Sequence, residues 1–110
     1  MNRDACLQAI RDHLQTAYLL TEKKTEEMIP VFVATLGDHV ERLAALAAAG
    51  DLDGLGRAGH AVKGALLNMG LPDLAELARR IELQCRQRTG PVDRTLITDL
   101  ERAVRLLAGS

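Results

Sequence analysis

Leu52-Asp53-Gly54-Leu55-Gly56-Arg57-Ala58-Gly59-His60-Ala61-Val62-Lys63-Gly64-Ala65-Leu66-Leu67-Asn68-Met69 is the stretch on which the fold turns. Projected at about 100° per residue with His60 as zero, it gathers Leu55, Ala58, Val62, Ala65, Leu66 and Met69 on the opposite side. That stripe predicts an amphipathic helix over about 52–69 with one face in a core. Asp51 or Asp53 serves as its N-cap and Gly70 closes it. His60 points away from the core. Gly56, Lys63, Gly64 and Leu67 share its outward face, with Arg57 at the edge.

The same periodicity extends in both directions. Pro72 suits the first turn of a helix over about 72–88, with Asp73 and Glu76 near its positive end. Leu74, Leu77, Ala78, Ile81 and Cys85 form its apolar stripe, and Thr89-Gly90-Pro91 breaks it. A last helix over about 92–108 carries Leu96, Leu100, Ala103, Val104 and Leu107, and Gly109 stops it. Upstream, Thr21 caps a long helix over about 21–49 that bears Ile29, Val33, Leu36, Val40, Leu43, Leu46 and Ala47 and ends at Gly50. Pro30 falls about two turns into it, so it either kinks the helix or marks a later start capped by Thr25. A first helix over about 3–18 carries Leu7, Ile10, Leu14 and Ala17. Short connections make neighbouring helices antiparallel. The expected fold is therefore all-α: an antiparallel up-down four-helix bundle with an additional N-terminal helix, in one domain over 1–110.

Composition narrows the function. The chain has 110 residues, 47% of them hydrophobic, which is enough for one packed domain without staples. Its only aromatics are Tyr18 and Phe32. With 14 basic and 15 acidic residues the net charge is −1, so no bulk charge draws it to nucleic acid or to an anionic membrane. The stretch from Met1 to Leu14 carries charges where a signal peptide needs an apolar run, so none is expected, and no run of about 18 apolar residues occurs. Cys6 and Cys85 lie far apart and are expected as reduced, partly buried thiols, a disulfide being the alternative. The expected location is the cytoplasm and the expected state a monomer. Met1 and the clean ends give the expectation of a free-standing protein.

The outward face of the central helix carries the chemistry. A glycine in a helix interior costs about 1 kcal/mol relative to alanine, and the helix does not require one at position 64. What a missing Cβ offers there is the close approach of another surface. A neutral imidazole nitrogen is a competent nucleophile near neutral pH. Lys63, one turn from His60, can reach a group attached to the ring. A transferred phosphoryl spreads negative charge over three oxygens, which a nearby cation offsets. An exposed histidine, a cation and a bare patch thus fit an acceptor site for phosphoryl transfer. His13 and His39 have no metal-ligand spacing, and no GxxxxGK[ST], GxSxG or HExxH motif is present. Arg79-Arg80 and Arg86/Arg88 read as a solvated basic face. Alternatives are a binding or adaptor module on the same fold that never takes phosphate, and a metal- or haem-binding bundle.

These residues resemble a known family. His60-Ala61-Val62-Lys63-Gly64, then Asn68-Met69-Gly70, then Leu74 and Ile81-Glu82 are similar to the pattern of the histidine phosphotransfer (Hpt) domain, and Ala47 to Leu52 to its usual approach. Val62 stands where leucine or isoleucine is commoner. Gly59 stands where alanine is common, and is expected to soften the helix near His60. The resemblance implies a phosphocarrier without an ATP-binding kinase domain, and therefore not an enzyme in the usual sense. It implies no cofactor of its own, with Mg²⁺ supplied by the partner. The implied partners are a response-regulator receiver domain and a sensor histidine kinase. It implies that His60 is phosphorylated on Nε2, that Lys63 steadies the phosphoryl group, and that Gly64 lets a receiver close over the histidine. Gly70 matches a turn glycine. In the related domain of chemotaxis kinases a glutamate at the place of Glu82 hydrogen-bonds the histidine Nδ1; the alternative is that Glu82 only pairs with a neighbouring Lys or Arg. Docking is expected to use Gly56, Arg57, Gly64 and above all Leu67.

Overall fold

The computed structural model describes residues 2–88 and 90–109, and every regular element among them is a helix. The elements are α1 (Arg3–Ala17), α2 (Glu22–Ala49), α3 (Leu52–Asn68), α4 (Pro72–Gln87) and α5 (Arg94–Ala108). α2 packs on α3, α3 on α4, α4 on α5, and α5 back on α2, which closes a ring of four. α1 lies outside this ring across α2 and α5. The all-α bundle with its extra N-terminal helix is thus the architecture present. At 1.5 Å per residue the 28 residues of α2 account for about 42 Å, nearly the 45 Å long axis of the molecule.

The helix ends follow from local chemistry. Thr21 accepts from Lys24 N–H, Asp51 from Gly54 N–H at 2.9 Å, and Asp93 from Thr95 N–H at 2.9 Å, each satisfying a donor that its helix leaves unpaired. Gly50 (φ 71°) and Gly109 (φ 81°) close α2 and α5 in the left-handed conformation. Pro72 opens α4 at its first turn. The core draws on all five helices and includes Ile10, Leu14, Leu36, Leu43, Leu55, Val62, Leu66, Met69, Ile81 and Leu100.

Several expectations need correction. α2 runs unbroken through Pro30, with no later start. Thr25 is not a cap: it is fully buried one turn in and donates its hydroxyl to Thr21 O at 2.8 Å. Ala17 is exposed, because α1 ends there before its stripe completes another turn. Leu77 is only half-buried, and Ala75 and Glu82 join the buried side of α4. α4 is terminated by Arg88 in the left-handed conformation (φ 52°). Of the expected Thr89-Gly90-Pro91 break, Thr89 lies outside the described residues. α5 begins at Arg94 rather than near Val92, since Asp93 takes the capping position. Both thiols are unbridged, and burial raises the Cys85 thiol above its usual range.

Gly59 faces α4. It is buried, and a Cβ there would meet Ala78 O and Glu82 N at 3.4 Å. The missing side chain lets the α4 backbone lie directly against α3. Gly59 therefore lies on the seam between α3 and α4, next to His60.

Candidate functional site

His60 projects from the middle of α3 with 71% of its side chain exposed. Across the seam at Gly59, α4 presents Glu82, nearly buried despite its charge. His60 Nδ1 lies 2.6 Å from Glu82 Oε2, and Lys63 Nζ donates to Glu82 Oε1 at 2.9 Å. One carboxylate thus holds both side chains of the outward α3 face. Arg86, one turn on along α4, stands 3.9 Å from the same Oε1.

The Lys63 ammonium holds the Glu82 carboxyl below its ordinary value, His60 adds to this, and burial opposes both. An ionised carboxylate only accepts hydrogen bonds, so Nδ1–H is the donor to Oε2. In the neutral ring that leaves the Nε2 lone pair unprotonated and facing solvent. Because Glu82 titrates lower folded than unfolded, its contribution to stability is fully present above about pH 4.5 and fades as pH falls through the folded value. Glu82→Gln is expected to cost about 1–2 kcal/mol at pH 7, the range of a charged hydrogen bond with partners that still reach water. That gap to wild type should narrow as pH falls from about 4.5 through the lowered folded value. Urea denaturation at pH 7 and across this acid range measures it; a gap that does not narrow would rule out the ionised carboxylate as its source.

The remaining candidate residues divide. Nothing lies within 4 Å of where a Gly64 Cβ would stand, so the surface beside His60 is bare. Leu67, two turns from His60, is half-exposed, and Arg57 is exposed. Gly56 is half-buried, and a Cβ there would sit 3.4 Å from Cys85 Cβ, so its small size serves the packing of α3 on α4. Gly56, Arg57, His60 and Glu82 line one open hollow of about 690 Å³ with Cys85 and Arg86. Arg88 closes that hollow and is paired with Asp53.

Sequence reading passed over two features of this face. Tyr18 donates its hydroxyl to Asn68 Oδ1 at 3.1 Å, which ties a half-exposed ring to the C-terminal end of α3. Arg86 does more than solvate a basic face: it stands beside Glu82, four residues back, and that spacing is the signal in the sequence. Among the described residues no cluster of His, Cys, Asp or Glu could hold a metal ion. None of the helices there is long and apolar enough to cross a membrane.

A helical bundle that displays a histidine, oriented by a carboxylate from the next helix, defines the class. The Hpt domain family matches residues 27–109, and the chain belongs to that family. No curated protein and no solved structure matches it. Hpt domains are histidine phosphotransfer modules of two-component signalling, phosphocarriers without kinase activity that interact with receiver domains and histidine kinases.

Proposed function

We propose that this chain relays a phosphoryl group between the aspartate of a receiver domain and Nε2 of His60. The observation that carries this reading is the 2.6 Å contact between Glu82 and Nδ1 on an imidazole that is otherwise exposed. It fixes the tautomer in which Nε2 can attack. The Nε2 lone pair forms the bond to phosphorus while the bond to the aspartate oxygen breaks, and the aspartate leaves as a carboxylate. Nδ1 keeps its proton, so the ring gains one positive charge, which Glu82 stabilises. Lys63 offsets the charge on the phosphoryl oxygens. The reverse reaction delivers the group to a second receiver. Mg²⁺ and the aspartyl phosphate belong to the receiver, and the chain acts as a cytoplasmic monomer.

The test is incubation of the whole chain with a phosphorylated receiver domain and Mg²⁺. Acid-labile, base-stable phosphate on this chain is the expected product. Failure to take phosphate from any receiver tried, with binding retained, would favour a phosphorylation-independent adaptor.

The receiver docks over the bare surface at Gly64, flanked by Leu67 and by Arg57 and Gly56. A half-exposed leucine beside a flat small-residue patch has the character of an interface anchor. Leu67→Arg is expected to weaken receiver binding about tenfold or more, since anchor truncations cost about 1–2 kcal/mol or above. The bundle should stay intact, because the position is at the surface. Isothermal titration calorimetry measures the affinity, and an unchanged value would remove Leu67 from the interface.

A further inference from the structure

Lys63 serves Glu82 in the resting site and, on the relay reading above, must also serve the phosphoryl group on His60. Nε2 is the ring nitrogen remote from Glu82, so a lysine that turns to a phosphoryl there leaves Oε1. Glu82 is nearly buried, and a buried carboxylate stripped of its cation is strongly disfavoured. Once Lys63 leaves, the ring at Oε2 is the one partner Glu82 keeps, and Oε1 is left without a hydrogen-bond donor.

We propose that Arg86 is a positioning residue that takes over as the counter-ion of Glu82 when Lys63 leaves it. Arg86 stands 3.9 Å from Oε1, beyond hydrogen-bond range but within reach of a small side-chain movement. Its side chain is 72% exposed, so it is free to make that movement. Among the described residues the cationic groups within 4.0 Å of this carboxylate are His60, Lys63 and Arg86. Of the other nearby arginines, Arg88 pairs with Asp53, and Arg79 and Arg80 with Glu76; Arg57 lines the same hollow but lies outside 4.0 Å of Glu82. The guanidinium has several donors in a plane, which suits it to a carboxylate approached from the solvent side. Lys63 and Arg86 thus give each of Glu82 and the phosphoryl group a side-chain cation of its own after transfer.

Removing Lys63 imitates its departure, and the readout is made on unphosphorylated protein, independent of any receiver. Carbon-13 NMR follows the Glu82 carboxyl through a pH titration, and nitrogen-15 NMR reports the His60 tautomer. In Lys63→Ala, Glu82 should still titrate low and Nδ1 should keep its proton. In Lys63→Ala/Arg86→Gln, the Glu82 titration should rise by about one pH unit or more, with a mixture of ring tautomers. Lys63→Ala/Arg86→Lys should restore the low titration, which a packing effect of Arg86 would not do. Equal titrations in Lys63→Ala and Lys63→Ala/Arg86→Gln would overturn the proposal. Absence of phosphohistidine in the wild-type relay assay would instead strike at the relay itself.

Discussion

His60→Gln is expected to hold no acid-labile phosphate under conditions that label the wild-type chain to completion. Glutamine is a strict control for this position. Its side-chain amide N–H can still donate to Glu82, so the carboxylate is not orphaned. The amide nitrogen is not nucleophilic, because its lone pair is delocalised into the carbonyl. His60 is mostly exposed, and exposed substitutions of this kind change stability by about 0.5 kcal/mol or less. A loss of label with unchanged denaturation therefore isolates chemistry from folding. The variant keeps two histidines, both half-buried: His13, whose ring meets the edge of Tyr18, and His39 on α2. Phosphate remaining on His60→Gln would move the acceptor to one of these. Mass-spectrometric assignment of the labelled residue decides the point.

Much of the fold was legible because helical periodicity is a one-dimensional signal. Leu55, Val62, Leu66 and Met69 share a face in any straight helix, and all four are buried. Caps are equally local, so Thr21, Gly50 and Gly109 could be read in place. Distances between helices are not local. Gly56, Gly59 and Gly64 look alike in the sequence, yet a Cβ would touch Cys85 at the first, meet the α4 backbone at the second and find open space at the third. Only the position of α4 separates them. The same limit applied to Glu82, 22 residues from His60. The sequence places it on the next helix, but its meeting with Nδ1 depends on the axial register of α3 on α4. Gly59 faces the α4 backbone at that seam, beside the very residue whose orientation matters. Local preference is also overridden in places: Pro30 lies inside the continuous α2, and Arg88 ends α4 in the left-handed region.

The largest effect on stability is expected at Gly70. It follows α3 with φ 77°, a conformation in which a Cβ is strained by about 1–2 kcal/mol. A Cβ there would also sit 2.6 Å from His13 Cγ and closer still to His13 Cβ, so α1 occupies the space that it needs. Gly70→Ala should therefore cost about 3 kcal/mol, the sum of backbone strain and an overpacking term of about 1–3 kcal/mol. For a domain of this size that is a fall in Tm of roughly 10–20 °C. Two further variants separate the causes. Gly70→Asn tolerates the left-handed backbone but keeps the collision, so it should recover only part of the loss. His13→Ala in the Gly70→Ala background should recover little, because the nearest atom is the His13 Cβ that alanine retains. Full recovery in Gly70→Asn would assign the cost to strain alone and remove α1 from the account. If α1 does bear on this turn, the loss should fall on folding and not on transfer. Folded Gly70→Ala protein would then accept phosphate at the wild-type rate, since His60, Lys63 and Glu82 meet on the α3–α4 seam, whereas the α1 backbone packs on α2 and α5.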